Sequence, residues 1–535
     1  MPKTDNILNR APNLAQKYGT PAYIYDFDKI TQNVQSFKNA FNARKSMLCY
    51  ALKANSNLSL LKHLATLECG ADCVSINEVK RALLAGIPKY KIIYSGVGKS
   101  DSDIKTALDL DILFINVESV GELLRVEAIA READKVARIS VRVNPNIDAK
   151  THPYISTGLR ENKFGVEIES AKKMFIYAKN SAHLQPIAVH FHIGSQLLDL
   201  EPITQSAGKI VGLIKGLIAL KIDIKFIDIG GGLGIAYNGE KVIDLYDYAQ
   251  GILAELKGLD LTIISELGRR IVGDCGVLLT SILYEKQNEF KRFCVVDAAM
   301  NDLVRPALYG AKHRVEYIPK GNSSLGMQFR TCGNFGDFAD SKSSLNPQNS
   351  HKYKSHTANT RIVDSGESSL RGRIVDSPKQ SKQNKIDCHD SALPNLAMTK
   401  KGKCAEFRNN DSIKSSLRGS EATEAIHDSP AIPDILQDSA PFLEKCDIVG
   451  PICESSDYLA KDIALPRTNR GDLLVILDSG AYGFSMSSNY NSRLKCVEVA
   501  LHKGRDFIIR KRESFDESIA NEAECADLQT KGGEK

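Results

Sequence analysis

The sequence predicts a (β/α)8 barrel joined to a second, antiparallel β domain that a long polar insertion interrupts. Three observations predict this. Short apolar runs alternate with amphipathic stretches from residue 45 to 270. The texture turns to short strand-like runs after Gly276. Residues 321–440 then become rich in Ser, Asn, Lys and Asp.

The apolar runs are Met47–Leu52, Ala71–Ser75, Lys91–Tyr94, Ile112–Val117, Arg138–Val143, Pro186–His192, Lys225–Ile229 and Leu261–Ser265. Most are nearly continuous and of strand length, as parallel strands covered on both faces require. Helical periodicity fills the gaps at Leu58–Leu67, Ile76–Leu84, Val120–Ala130 and Ile203–Leu220. Eight strands alternating with helices fit a closed barrel over residues 31–276. A doubly wound open sheet is the rival, and the count of eight favours the barrel. Val277–Tyr284, Phe293–Asp297, Leu473–Leu477 and Lys495–Leu501 read as strands of the β domain, made of 277–320 and 441–515 and joined by residues 1–30. Within 321–440, Arg-Ile-Val-Asp-Ser occurs at 361 and again at 373, and Ser-Ser-Leu-Arg-Gly at 368 and 415. Such composition cannot bury enough apolar surface to offset chain entropy, so the segment reads as a disordered insertion and 516–535 as a flexible tail.

Of 535 residues, 42% are hydrophobic and 25% charged, which excludes a wholly disordered or fibrous chain. The net charge is +5 without a dominant Lys/Arg block, so neither nucleic acid nor an anionic membrane is an expected partner. The longest apolar stretch, Ile210–Ile235, is broken by Lys215, Lys221, Asp223, Lys225 and Asp228, so no membrane span is expected. The N-terminus lacks the apolar core of a signal peptide. The twelve cysteines form no C-x-x-C pair, which suits reduced thiols in the cytoplasm. Cys69 and Cys73 have no matching His/Cys pair, and no metal site is expected.

Seven constellations carry chemistry. In Cys49-Tyr-Ala-Leu-Lys-Ala-Asn55, Lys53 ends the first barrel strand, where barrel active sites lie. Partial desolvation there would lower its pKa and ready it for a Schiff base; a snorkelling lysine is the plain alternative. In His190-Phe-His-Ile-Gly-Ser-Gln196, period-two alternation puts His190 and His192 on one strand face, with Ser195 in the loop beyond. His192 could stack on a flat ring and Ser195 reach a phosphate, or the histidines are simply satisfied core residues. In Phe226-Ile-Asp-Ile-Gly-Gly-Gly-Leu-Gly234, Gly231 and Gly232 could cradle a phosphate or make a tight turn. In Ser265-Glu-Leu-Gly-Arg269, Glu266 could keep a pyridinium protonated and Arg269 bind an anion, or the two form a rim salt bridge. Arg305 and Tyr309 follow in the β domain. Last come Cys453-Glu454, a thiol able to act as general acid or a small core residue, and Tyr482, able to cap a cofactor or pack in the core.

Taken together, Tyr50-Ala-Leu-Lys-Ala-Asn, His-Phe-His-Ile-Gly-Ser-Gln, Asp-Ile-Gly-Gly-Gly-Leu-Gly, Glu-x-Gly-Arg, Asn-Asp-x-x-Arg-Pro-x-x-Tyr, Cys-Glu-Ser and Gly-Ala-Tyr occur in one order. In that order they resemble the diaminopimelate decarboxylases, of the alanine racemase and ornithine decarboxylase fold type. The resemblance spans about residues 10–320 and 441–515. It implies pyridoxal 5′-phosphate as cofactor, with Lys53 as the Schiff-base lysine and His192 stacked on the ring. Ser195, Gly231, Gly232, Glu266, Leu267, Gly268, Arg269 and Tyr482 would contact the cofactor. Arg269, Arg305, Tyr309, Glu454 and Tyr482 would bind meso-2,6-diaminopimelate. Cys453 would return a proton, it and Glu454 completing the partner's site in a homodimer. The implied reaction is decarboxylation at the D centre to L-lysine, the last step of bacterial lysine biosynthesis. Decarboxylases of carboxynorspermidine, arginine or ornithine, and an inactive pyridoxal-phosphate-binding homologue, are the alternatives. Ornithine-type members resemble Cys-Asp at 453–454, and an inactive homologue would lack the second domain or the Cys-Glu pair. Leu267 stands where the family has proline, Ser456 where it has glycine, and the insertion is not a family feature.

Overall fold

The computed structural model describes residues 5–148, 163–321, 329–330 and 442–523. The expected insertion, apart from Gly321 and residues 329–330, and the last part of the tail lie outside the described residues. Barrel and sheet belong to one compact unit, 1–341 with 440–535.

Strand β1 (Ala22–Asp26) precedes the barrel. Strands β2 (Ser46–Ala51), β3 (Gly70–Cys73), β4 (Ile92–Tyr94), β5 (Phe114–Val117), β6 (Ala137–Arg142), β7 (Leu184–His190), β8 (Phe226–Asp228) and β9 (Thr262–Ser265) then close in chain order, all parallel, β9 pairing back on β2. Each coincides with one of the eight apolar runs. The closed ring settles the choice between barrel and open sheet.

The inward faces explain what the barrel carries. The register aligns Ala51, Asp72 and Ile93 on neighbouring strands, and likewise Arg142, His190, Asp228 and Ile264. Side chains two apart share a face. Low in the barrel that face is apolar: Cys49, Ile93, Phe114, Ile187, Ala188 and Ile264 pack together. One step up, at the C-terminal ends, it turns polar while staying buried: Asp72, Asn116, Arg142, His190, Asp228 and Glu266. An apolar plug thus holds a layer of ionisable groups beneath the mouth where the βα loops emerge.

The second layer contains β10 (Gly276–Gln287), β11 (Arg292–Val296), β12 (Val315–Ile318), β13 (Phe329–Arg330), β14 (Glu444–Val449), β15 (Tyr458–Leu465), β16 (Leu473–Ile476), β17 (Val497–His502) and β18 (Arg505–Arg510). Its main path runs β13-β12-β16-β10-β1-β17-β18, with β11, β14 and β15 continuing from β10. Pairing is mostly antiparallel; β1–β17 and β11–β14 run parallel. Alternation along β10 gives the sheet two apolar faces. Val277 and Leu279 meet Ile7, Leu8 and Leu14 of the helix Asp5–Tyr18, while Leu278 joins the core shared with the barrel.

Two expectations change. Residues 329–330 pair with β12, so the sheet extends into the segment read as insertion. The tail begins in a helix, Phe515–Ile519, because Ser514 and Glu517 form a reciprocal capping box. Among the described residues no helix is long and apolar enough to cross a membrane. The described cysteines are all free, and only Cys453 is exposed.

Candidate active site

A cavity of about 560 Å³ opens at the barrel mouth. Lys53, His192, Ser195, Arg269, Arg305, Tyr309 and Tyr482 line it, with Gln196, Tyr237 and Met486. Residues dispersed over more than 400 positions of sequence therefore meet in one place.

Lys53 sits in the single 3-10 turn Leu52–Ala54 that follows β2. The sheet domain secures this turn: Tyr482 donates its N–H to the Ala54 carbonyl at 2.8 Å, and the Ser485 hydroxyl donates to the same oxygen at 3.1 Å. Tyr482 therefore reaches the barrel mouth from the second layer of the same chain. Lys53 Nζ lies 3.6 Å from Asp72 Oδ2, its side chain 42% exposed toward the cavity above a fully buried carboxylate. Burial pushes the ammonium down, but the charges of Asp72, Tyr482 and Glu266 outweigh it and raise its pKa. The expectation of a lowered lysine pKa is thus reversed. Desolvation is present, yet β3 and β9 supply carboxylates that no local reading of the lysine motif contains. Asp72 is itself pushed up to about 6, by burial and by Glu266, against the pull of Lys53.

Beneath the cavity floor His190, Asp228 and Glu266 converge, their ligand-type atoms within 4.8 Å of one another. His190 Nε2 is 3.3 Å from Glu266 Oε2. Two carboxylates this close and this buried do not both ionise freely. Burial and the charge of Glu266 push Asp228 well up; its Oδ1 accepts from the Gly230 N–H at 2.9 Å. Burial would raise Glu266 too, but His190 and Lys53 hold it below the ordinary carboxylate range. The cluster thus favours the proton on Asp228 and the charge on Glu266. Among the described residues, the buried Glu266 Oε1 has no hydrogen-bond partner.

His192 follows two residues after His190, just past the end of β7, and lines the cavity. Its Nδ1 accepts the Gly231 N–H at 3.2 Å, and burial with the charges of Arg142 and Lys53 pushes it well below its usual value. The ring facing the cavity is therefore neutral. A Cβ on Gly231 would lie 2.1 Å from the Glu266 carbonyl, and one on Gly232, at φ +101°, 2.1 Å from the Gly194 carbonyl. These glycines let the loop after β8 nest between the ends of β7 and β9. Arg269 donates to the Ser195 hydroxyl at 3.2 Å and to the Tyr237 hydroxyl at 2.6 Å, its guanidinium 4.8 Å from the Tyr482 ring centre.

Among the expected residues that stand apart from the cavity lining are Leu267, Gly268, Cys453 and Glu454. Leu267 is buried in the core. The space beside Gly268 is filled by Ala54 and Ala51. Cys453 and Glu454 lie on the loop between β14 and β15, both exposed. The Cys453 N–H donates to Asn491 Oδ1 at 3.2 Å, and Glu454 accepts from the Tyr490 and Ser456 hydroxyls. Asp72, Asp228 and Tyr237 belong to the site but were not singled out in the sequence. Asp72 and Asp228 are acidic residues set inside apolar barrel runs, a signal that could have found them; Tyr237 had none.

Comparison with known proteins follows this geometry. Residues 27–273 match the pyridoxal binding domain of the pyridoxal-dependent decarboxylases, and residues 409–480 match their C-terminal sheet domain. The second match begins inside the segment read as insertion, which moves the boundary of family-like sequence N-terminally from 441. A diaminopimelate decarboxylase of Campylobacter jejuni is 46% identical over 510 residues, covering 95% of this chain and 97% of that protein. The crystal structure of the Helicobacter pylori diaminopimelate decarboxylase complexed with L-lysine superposes with a TM-score of 0.71 at 44% identity, covering 95% of this chain and 98% of that one. One from M. jannaschii, in co-complex with L-lysine, gives 0.71 at 27% identity, covering 96% and 95%. With a barrel and a sheet that each match their family domain and a relative this similar over nearly its whole length, the chain belongs to the diaminopimelate decarboxylase family of pyridoxal-dependent decarboxylases.

Proposed function

We propose that this chain decarboxylates meso-2,6-diaminopimelate at its D centre to L-lysine, using pyridoxal 5′-phosphate. The carrying observation is Lys53, open to the cavity, together with the buried carboxylate of Glu266, one oxygen of which has no hydrogen-bond partner among the described residues. That arrangement fits the cofactor at two ends: an amine for its aldehyde and a carboxylate for a protonated ring nitrogen. The close-nested glycine loop and Ser195 fit its phosphate, and the neutral His192 fits a flat ring face. Pyridoxal phosphate, when bound, supplies the electron sink that lets a carboxylate leave as CO2.

The chain's own residues do the rest. Asp228, its carboxyl pushed up, and His190 favour the charge on Glu266, so a cation over Glu266 is stabilised in a low-dielectric pocket. Tyr482, tied by its backbone to Ala54, closes the cavity over Lys53 and limits water. Arg269 and Arg305 give the cavity two buried cations, suited to a dicarboxylate. Cys453 would supply the returning proton and Glu454 the contact to the distal amine. Both face outward from the chain that carries Lys53, which supports a homodimer in which each completes the partner's site. The chemistry suits the cytoplasm, where Cys453 stays a thiol.

Purified protein loaded with pyridoxal phosphate should turn meso-diaminopimelate into lysine and CO2 and leave ornithine untouched. A loaded protein that yields no lysine, or that prefers ornithine, contradicts the proposal.

A further inference from the structure

Arg305 opens the helix Arg305–Tyr309 and is 6% exposed. Its guanidinium carbon lies 4.8 Å from the Tyr237 ring centre, and its Nη1 is 2.9 Å from His313 Nε2. His313, buried on the turn that leads into β12, places its other nitrogen, Nδ1, 2.8 Å from the Leu477 carbonyl oxygen. A carbonyl only accepts and a guanidinium only donates. Both bonds therefore exist in a single state of the ring: neutral, with the proton on Nδ1 and the lone pair of Nε2 toward Arg305. Burial and the charge of Arg305 push His313 down to about 3, so that state holds at neutral pH.

The frame around the imidazole is firm. The Leu477 N–H donates to the Arg314 carbonyl at 2.9 Å, and the Arg314 guanidinium grips Asp478 at 3.0 Å. The Tyr237 ring packs edge-on against His313 at 5.2 Å. A carboxylate in this position would neutralise Arg305. An uncharged acceptor orients the guanidinium and leaves its positive charge for an incoming anion.

We infer that His313 is a positioning residue for substrate recognition, an obligate uncharged acceptor that aims Arg305 at a carboxylate of the substrate. This rests on the reading of Arg305 as a substrate ligand. Four proteins, each loaded with cofactor, test it: His313→Leu, His313→Gln, Arg305→Ala and the double variant His313→Leu/Arg305→Ala. His313→Leu should raise KM by at least about tenfold with kcat within about threefold, since one partner of a buried charged hydrogen bond is removed. Glutamine, also an uncharged acceptor, should restore KM to within about threefold of wild type. In the Arg305→Ala background, His313→Leu should add less than about twofold, because its effect passes through the arginine. Cofactor affinity, read by absorbance, should be unchanged throughout.

If Arg305→Ala leaves KM at the wild-type value, the substrate-ligand reading fails. If Arg305→Ala raises KM and a folded His313→Leu does not, or the two losses multiply in the double variant, the role of His313 is overturned. Should His313→Leu fail to fold, 15N-labelled histidine spectra of the unmodified protein decide, with His313 assigned by difference from His313→Gln. A neutral Nδ1–H ring at pH 5.5 supports the inference, and an imidazolium or Nε2–H ring refutes it.

Discussion

The barrel mouth and the Cys453 loop treat their ionisable groups in opposite ways. At the mouth, Asp72, His190, Asp228 and Glu266 are at most 6% exposed; burial and the charge of Glu266 raise Asp72 and Asp228, while His190 and Lys53 hold Glu266 down. On the loop, Cys453 and Glu454 are exposed, and the hydrogen bonds of Tyr490 and Ser456 hold Glu454 below the usual carboxylate range. The chain buries the ionisable groups at the mouth in a fixed field and leaves Cys453 and Glu454 facing outward. If the loop supplies the acid, as proposed, its desolvation would come from a partner protomer.

The largest effect should come from the mouth. Lys53→Ala should abolish lysine formation, and borohydride reduction, which labels the Lys53 peptide of the unmodified protein with pyridoxyl, should label nothing there. Cys453→Ala should lower kcat by roughly 10²–10⁴-fold, the usual loss of a general acid, with the cofactor spectrum intact. Glu454→Ala should raise KM for diaminopimelate by more than about tenfold without weakening cofactor binding. A loop that serves only folding would instead change the melting temperature and leave KM alone.

The raised Lys53 sharpens the contrast through pH. Capture of an aldehyde needs the free amine, whose fraction grows tenfold per pH unit below the pKa. Loading of cofactor-free protein should therefore keep accelerating up to pH 10, where a lysine of lowered pKa would have levelled off near neutrality. Asp72→Asn removes a raising charge and should speed loading at pH 7. Stopped-flow absorbance reads both.

Much of this was legible in the sequence because buried parallel strands are written as continuous apolar runs, and all eight barrel strands follow them. Strands β15 and β18 were missed because their exposed faces carry Lys461, Asp462 and Arg505, which break the run. At the site, the motif-bearing residues lining the cavity were readable one loop at a time. Asp72 under Lys53, Tyr237 between two arginines and His313 behind Arg305 were not, since each acts through a hydrogen bond or charge contact made only when distant strands come into register.

The smallest effect should follow deletion of residues 342–408 behind a short Gly/Ser linker, a stretch outside both family matches. Loop closure costs grow only as ~(3/2)RT ln n, so kcat/KM should stay within about threefold. A deletion that loads cofactor yet loses activity would assign the stretch a part in catalysis.

The central claim is that Lys53 and Cys453 of one working site come from different protomers. Inactive Lys53→Ala and Cys453→Ala proteins, unfolded together and refolded as mixed dimers, test it directly. Half the dimers should be mixed and each should hold one intact site, restoring roughly a quarter of wild-type activity. Mixed dimers, verified by two affinity tags, that recover no activity would contradict the account.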